Sequence, residues 1–567
     1  VALADTGNRV TLSYRRASFS RPKEHNLAAF NERVEQGTIT PIFESNLKAI
    51  GDGDVTLATG DGAKTIPNDS VYTLLGTELP TQFLRRAGIR MEGEKRLPDF
   101  IACALLVLFA SVLYFGKKAP ITPANSIGEF LAIPAALAGQ PWNAFLKGLL
   151  AWISFILMLG CAAFVGVSMA RNWRRYFSDA WSGFKYAYYI TMFLLFTLVY
   201  LTYNLQGRNL LGWGPGIWYT AMYSLTIVIF GLRRIAVHPT GYIKRQTYVL
   251  MAFQVIPLFI LPVFVFPALG RNGLLGDWVM QNVFPDESYW RAYGFILAWP
   301  LFIYNFVQHE PIGFWLVVCL VQTFVIIPLI VFKWGKGAYC GWICSCGALA
   351  ETLGDEYRTL APHGLRAKQL DNAGQLVLWV AALGAGMALL GSWGGLGVPG
   401  EPALFKGYEI AVDIVFAGVL GLGVYFFMSG RVWCRFLCPL AALMHIYARF
   451  SPYRIMSNKK RCISCNICTK VCHMGIDVMG YATRGVPMND VECVRCSACV
   501  VNCPMQVLTF GSVGKVDLDN RAHEGKYYPL PRNWTAGLAQ EDLDMLLEEE
   551  REKHPEAAAD RPPTGTS

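Results

Sequence analysis

The sequence predicts a mainly α-helical polytopic membrane protein, with a partial α/β domain ahead of the membrane part and a compact cysteine-rich domain behind it. Three observations carry this. Of the 567 residues 53% are hydrophobic and only 16% charged, and the mean hydropathy is +0.33, more apolar than a water-soluble chain of this length. Apolar runs of spanning length, about 20 residues, recur through the middle. Most of the sixteen cysteines lie at short, repeated intervals between Cys340 and Cys503.

In chain order the sequence divides into residues 1–97, 98–270, 271–458, 459–513 and 514–567. The first region has a soluble character. Asn8 to Arg16 reads as a helix exit followed by a strand, and Val55–Ala58 with Gly60-Asp61-Gly62 reads as a hairpin. The chain begins at Val1, inside what reads as the middle of a folding unit, so further sequence upstream is expected.

Eight segments are long and apolar enough to span: Phe100–Phe115, Leu149–Met169, Tyr186–Tyr203, Ile217–Leu232, Tyr248–Leu269, Ile312–Phe332, Leu376–Trp393 and Ile410–Met428. A ninth stretch, Tyr289–Gln308, is broken by Arg291 and Pro300 and could span, lie in the interface or re-enter. Lys and Arg gather in cytoplasmic loops. Arg171, Arg174, Arg175 and Lys185 mark one such loop, Arg233, Arg234, Lys244 and Arg245 a second, and Lys333, Lys336, Arg358, Arg366 and Lys368 a third. These agree if Tyr289–Gln308 does not cross. The expectation is a multi-pass protein of the bacterial cytoplasmic (inner) membrane with both termini cytoplasmic. The net charge of +9 belongs to these flanks and not to a nucleic-acid surface.

The strongest motif comes near the C-terminus. Cys462, Cys465, Cys468 and Cys472 form C-x2-C-x2-C-x3-C, repeated by Cys493, Cys496, Cys499 and Cys503. Three thiolates at this spacing wrap a cubane on one loop, while the fourth reaches across to the other cluster. The pattern predicts two [4Fe-4S] clusters, one on Cys462, Cys465, Cys468 and Cys503, the other on Cys493, Cys496, Cys499 and Cys472. Zinc knuckles would need no crosswise sharing, and soft thiolates at this spacing suit iron and sulfur. The stretch resembles the bacterial-type two-cluster ferredoxin domain over about Lys459 to Ser512, but has His473 where that domain has Pro after the first fourth cysteine.

A second pair of motifs sits at the ends of predicted spans. Tyr339-Cys340-Gly341-Trp342-Ile343-Cys344 and Trp433-Cys434-Arg435-Phe436-Leu437-Cys438 share one pattern, each followed three residues later by a small residue, Gly347 or Ala441, then Ala-Leu. An internal duplication explains them. If each motif is helical, its two thiols share a face. Cys340, Cys344, Cys434 and Cys438 would then suit a further iron-sulfur cluster, a redox-active dithiol site, or plain core packing. Cys346 is a fifth thiol nearby, while Cys103, Cys161 and Cys319 stand alone within spans and read as packing.

Two C-x3-C motifs after spans, the second ending Cys438-Pro439, followed by a two-cluster ferredoxin segment, look like the membrane polyferredoxins of the NosR/NapH/CcoG type. The resemblance covers about Ile312 to Ser512. It implies electron passage between the quinone pool or a cytoplasmic donor and a partner protein. Ser345 stands where the family's first motif has Pro, and about five preceding spans are of another kind.

Residues 1–97, including Asn68-Asp69-Ser70-Val71 and Gly76-Thr77-Glu78-Leu79-Pro80, resemble the latter part of the Rossmann-like nucleotide-binding domain of thioredoxin-reductase-like flavoproteins. That resemblance places Arg15, Arg16 and Arg21 where the 2′-phosphate of NADPH is held, with FAD on segments upstream of Val1. A basic strand edge without a ligand is the plain alternative.

No helix carries an evident pair of facing histidines for haem. His238, His309 and His445 lie near span ends, where they could line a quinone pocket. The acidic stretch Gln540–Arg551 reads as a solvated helix, and the last ten residues or so as disordered. The functional expectation is a membrane-bound electron-transfer oxidoreductase, fed by NAD(P)H through a flavin or by a soluble carrier. Its partners would be lipid, a redox protein and quinone. The alternative is an accessory protein that delivers electrons to a maturing metalloenzyme. A transporter is disfavoured because intramembrane charges are scarce.

Overall fold

The computed structural model describes residues 2–17, 19, 24–60, 62–72, 97–116, 132, 142–301, 313–394, 407–459 and 461–513. The chain forms two compact units: Val1–Glu94 with Met456–Cys465 and Met479–Pro487, and the remainder.

In the first unit a short helix, α1 (Ala2–Asp5), leads into strand β1 (Val10–Tyr14), as the sequence implies. Helix α2 (Glu24–Glu35) returns the chain to β2 (Ile39–Phe43), which pairs in parallel with β1 from Val10↔Ile39 to Tyr14↔Phe43. A parallel pair needs such a crossover. Strands β3 (Asn46–Ile50), β4 (Asp54–Thr59) and β5 (Gly62–Pro67) form an antiparallel meander. Alternation along β4 buries Val55 and Leu57, and β4 with β5 is the expected hairpin. Arg15 and Arg16 stand exposed just beyond β1, while Arg21 and Gly76–Pro80 fall outside the described residues.

In the second unit six helices among the described residues are long and apolar enough to cross a membrane: α3 (Leu97–Phe115), α4 (Phe145–Arg171), α5 (Ala180–Tyr203), α6 (Pro215–Val237), α7 (Gly241–Arg271) and α8 (Gly313–Trp334). Helix α4 shows why. Leu146, Leu150, Ile153, Leu157, Phe164 and Val167 follow helical spacing and stay exposed, an apolar stripe suited only to lipid. Its other face meets α3 and α5 in a core of Val112, Phe155, Met158 and Tyr200. The seventh expected segment lies in the helix Ala373–Gly394, and the eighth is a shorter helix, Ile410–Gly423.

The Tyr289–Gln308 stretch does not form a spanning helix as far as residue 301. It runs as a 3-10 turn, Tyr289–Phe295, and then as irregular chain. Irregular backbone at membrane depth survives only when protein satisfies its polar groups, and α8 does this. Gln322 donates to the Phe295 carbonyl at 2.9 Å and Thr323 to the Trp299 carbonyl at 3.1 Å. Both side chains project from a π-helical turn, Gln322–Ile326, that precedes Pro328. His309 and the rest of this stretch lie outside the described residues.

This accounting yields a test. Thr323→Val keeps the shape but strands a buried carbonyl, so purified protein in detergent should lose about 1–3 kcal/mol of unfolding free energy. An unchanged thermal or denaturant midpoint would show that Thr323 does not hold the irregular segment.

Candidate functional site

Both C-x3-C motifs fold alike, and not as one helix face. In the first, the Cys344 N–H donates to the Tyr339 carbonyl at 3.0 Å; in the second, the Cys438 N–H donates to the Trp433 carbonyl at 2.9 Å. Each is a wide turn from the aromatic residue to the second cysteine, which then leaves the helix in an extended conformation, with ψ of 135° at Cys344 and 116° at Cys438. From there each second cysteine begins a new helix, Ser345–Glu351 or Pro439–Ala448. The expected shared helical face is therefore replaced by a turn and a helix start. Pro439 favours the new start because it lacks an N–H, and the first copy achieves the same with Ser345. Gly347 is required: a Cβ there would stand 1.7 Å from the Cys340 carbonyl oxygen.

The four thiols are all buried and lie near enough for each to influence its neighbours' charge. Burial first, then the Cys344 and Cys434 thiols, push Cys340 up against the pull of Lys336 and Arg431. Burial and the other three cysteines push Cys438 well up. Cys344 instead falls to about 7, chiefly because Cys346 donates to it, helped by the Gly347 and Cys346 N–H groups. Cys346 is thus the hydrogen-bond partner of one thiol of the quartet.

Helices α6 and α7 fix the backbone of the first motif. Gln246 donates to the Gly341 carbonyl at 2.8 Å and Gln254 to the Ile343 carbonyl at 2.7 Å, both glutamines fully buried. The Tyr223 hydroxyl reaches the Ser345 carbonyl at 2.8 Å and Gln254 Oε1 at 3.0 Å.

Below the thiols lies a fully buried carboxylate, Glu351, on three guanidinium groups: Arg234 at 2.9 Å, Arg358 at 2.6 Å and Arg431 at 2.5 Å. Burial alone would raise its pKa, but Arg358, Arg234 and Arg431 hold it well below the usual carboxylate range. Asp355 adds a second acidic group, 2.7 Å from Arg358 and 3.5 Å from His238. Arg431 also donates to the Cys340 carbonyl at 3.3 Å, and Arg358 to the Cys496 sulfur at 3.3 Å and to the His473 ring. Burial, then Arg358, keeps His473 neutral. Glu351, His473 and Cys496 offer atoms within 4.8 Å of one another. A free cation is not expected there, because three guanidinium groups already occupy the carboxylate.

A second buried ionic group joins Lys336 to Glu492 at 3.1 Å and to the His445 ring, with His445 3.1 Å from Glu492. Burial opposes it, but Lys336 and His445 hold Glu492 down to about 2. His445 thus has Lys336 and Glu492 as its partners.

The two C-terminal runs share a backbone. Asn466 and Ser497, each directly after the second cysteine of its run, have φ of 63° and 65° and start the short helices Ile467–Lys470 and Ala498–Val501. Ser464 and Arg495, directly before that cysteine, have φ of 58° and 49°. Such alternation turns successive N–H groups inward, a nest suited to an anionic cluster. The structure places Cys472 beside Cys493 and Cys496: burial and then those thiols push Cys472 up to about 12. Burial pushes Cys493 up to about 11, opposed first by Arg495. Cys499 is pushed well up by burial and then by Cys496, Cys493, Cys472 and Cys468. Cys503 is buried, Cys462 half-buried and Cys465 exposed, and none of the sixteen cysteines is in a disulfide.

These residues fit iron-sulfur clusters. Burial raises Cys340, Cys438, Cys472, Cys493 and Cys499, which would hold their protons unless a metal displaced them, whereas Cys344 is already lowered to about 7. Arg358, Arg431, Lys336 and Arg495 supply compensating positive charge. Once bound, such clusters supply one-electron chemistry. The sequence did not expose the ionic groups, because apart from Arg358 the partners are far from their carboxylates in the chain. The one local hint is Glu351, ending an otherwise apolar Ala348-Leu349-Ala350 stretch.

A 4Fe-4S dicluster domain family matches residues 461–508, and a 4Fe-4S binding domain family matches residues 313–365 and again 411–461, each copy holding one C-x3-C motif. The chain is 28% identical to the putative electron transport protein YccM of Escherichia coli over 34% of this chain and 54% of that protein. It is 24% identical to the regulatory protein NosR of Stutzerimonas stutzeri over 46% of this chain and 33% of that one. Against the methylamine utilization ferredoxin-type protein MauN of Paracoccus denitrificans it is 26% identical, over 35% of this chain and 68% of that protein. The chain thus spans about half of the first relative and a third of the second. No solved structure matches it.

Removing Glu351 should be costly. Glu351→Leu leaves three buried guanidinium groups without their shared partner and should destabilise the protein by about 3–5 kcal/mol, with Glu351→Gln milder. Urea unfolding of the purified variants would check this, and near-wild-type stability of Glu351→Leu would refute it.

Proposed function

We infer, for a chain that between residues 313 and 508 is a membrane polyferredoxin of the NosR/NapH type, that it passes electrons through two [4Fe-4S] clusters to a site on the paired membrane cysteines. The single observation that supports this reading best is the convergence of four buried thiols from two matching turns, with the loop from Cys493 to Cys496 against the first of them. The first cluster would be held by Cys462, Cys465, Cys468 and Cys503, the second by Cys472, Cys493, Cys496 and Cys499. Cys340, Cys344, Cys434 and Cys438 would hold a further metal centre.

The chain's own residues would position and tune these groups rather than perform acid-base chemistry. Gln246, Gln254 and Tyr223 hold the first membrane motif by its carbonyls. Lys336 and Arg431 offset thiolate charge there. Electrons would come from a cytoplasmic donor, a soluble carrier or NAD(P)H through a flavin. The exposed Arg15 and Arg16 beyond β1 are consistent with a phosphate contact on the nucleotide. The acceptor would be a quinone or a membrane or periplasmic partner, and the cluster-bearing end would face the cytoplasm.

Iron and acid-labile sulfide per chain test this. Two cubanes alone give about eight irons, and a further centre on the paired cysteines gives more, the surplus disappearing in Cys434→Ser/Cys438→Ser. Cys472→Ser should disturb one cubane only. Bound zinc, or clearly fewer than eight irons in fully assembled protein, would end the reading.

A further inference from the structure

The cysteine loop that begins at Cys493 lies directly against the first membrane motif. Gly337 opens the short helix Gly337–Cys340, and a Cβ on it would stand 2.1 Å from the carbonyl oxygen of Val494, the residue after Cys493. The loop is pinned there from several sides. Arg495 donates to the Trp334 carbonyl at 2.9 Å, and the Tyr242 hydroxyl to the Arg495 carbonyl at 2.7 Å. Glu492 takes Lys336. Arg358 closes the arrangement by touching both sides: it donates to the Cys496 sulfur at 3.3 Å, and its other nitrogens hold Glu351 at 2.6 Å and Asp355 at 2.7 Å. Glu351 in turn holds Arg431, which donates to the Cys340 carbonyl.

We propose that the cubane on Cys472, Cys493, Cys496 and Cys499 is the one that exchanges electrons with the paired membrane thiols, and that Arg358 is the positioning residue that sets its potential. This rests on the two-cluster reading above. With clusters bound, one electron would pass from the reduced cubane on Cys472, Cys493, Cys496 and Cys499 to a metal centre on Cys340, Cys344, Cys434 and Cys438, the first being oxidised and the second reduced with no bond formed or broken. A hydrogen bond from a cation to a ligand sulfur favours the more negative, reduced cluster, and so raises the potential. Glu351 and Asp355 hold the Arg358 guanidinium in place for that bond. His473, standing where a ferredoxin has proline, places a ring nitrogen 3.1 Å from the Arg358 guanidinium.

The test is a redox titration of the full-length chain in detergent, reduced with sodium dithionite and followed by EPR. Arg358→Met removes one cation beside two carboxylates, leaving Arg234 and Arg431 to face Glu351 and Asp355. It should lower the midpoint of one cubane and leave the other where it was. Arg358→Lys, which keeps the charge but loses the fork, covers the case in which the Met variant does not assemble, and should shift the same midpoint downward by less. Cys465→Ser, altering a ligand of the other cubane, identifies that cubane's signal. Both midpoints moving together, neither moving with iron content retained, or the shift falling on the signal that Cys465→Ser alters would each overturn the proposal. Wild-type protein with clearly fewer than eight irons would instead remove the two-cluster reading beneath it, so the two failures can be told apart.

Discussion

One buried carboxylate holds the second unit's redox region in register. Glu351 belongs to the helix that follows the first cysteine motif, yet its three partners come from elsewhere: Arg234 from the end of α6, Arg358 from the loop beyond, and Arg431 from the turn leading into the second motif. A lone charge in such a place would be intolerable. The group is therefore all or nothing, and each guanidinium can be satisfied only if its own segment has arrived. Buried ionic groups are weak evidence of net stability, but they discriminate between registers because a near-miss leaves a charge unpaired. Here the registers being chosen are those of the two cysteine turns, relative to each other and to the loop at Cys496.

That arrangement gives the membrane helices ahead of residue 313 a definite role. They lie ahead of the stretches that the two cluster-domain families match, and by composition alone they could have been a separate transport domain. Instead α6 and α7 direct Tyr223, Arg234, Gln246 and Gln254 at the first cysteine motif and its neighbours, and Tyr242 at the carbonyl of Arg495. Polar side chains inside an apolar helix are costly unless each finds a partner. Tyr223, Gln246 and Gln254 find theirs on the backbone of a turn whose own carbonyls would otherwise be orphaned, and Arg234 finds its partner in Glu351. The helices and the cysteine turn are thus mutually required.

The parts of this fold readable from sequence are those encoded over short distances. Spanning helices declare themselves through runs of Leu, Ile and Phe, and the cysteine runs through spacings of two and three residues, because in both cases the determining residues are adjacent. The two membrane motifs were readable as a repeat, but not as turns: periodicity alone favours one continuous helix, and the break at Cys344 and Cys438 depends on how each second cysteine begins the next helix. The loop cations illustrate the opposite error. Arg234, Lys336 and Arg358 count as orientation signals in the sequence, yet all three are buried on Glu351 or Glu492. For Arg234 and Lys336 the carboxylate lies far away in the chain, which no local pattern reveals, whereas Arg358 meets Glu351 seven residues before it.

Why the region should be cationic follows from the thiols. Four cysteines at the membrane end and more at the adjacent loop become thiolates once metal is bound, and negative charge accumulates where water cannot screen it. Among the cations here, Arg234 is directed mainly at carboxylates, whereas Arg431, Lys336 and Arg358 each touch or influence a cysteine as well as an acid. A cation bound to a carboxylate is held still, so the share of its field felt by the thiolate does not depend on side-chain motion. This makes the acids, Glu351 and Glu492, the elements that fix how strongly each sulfur is stabilised, although neither needs to bind metal. A neutral replacement at either position would therefore be expected to blur the electrostatics at the cysteines before it disturbed the helices, which have their own apolar contacts with lipid and with one another.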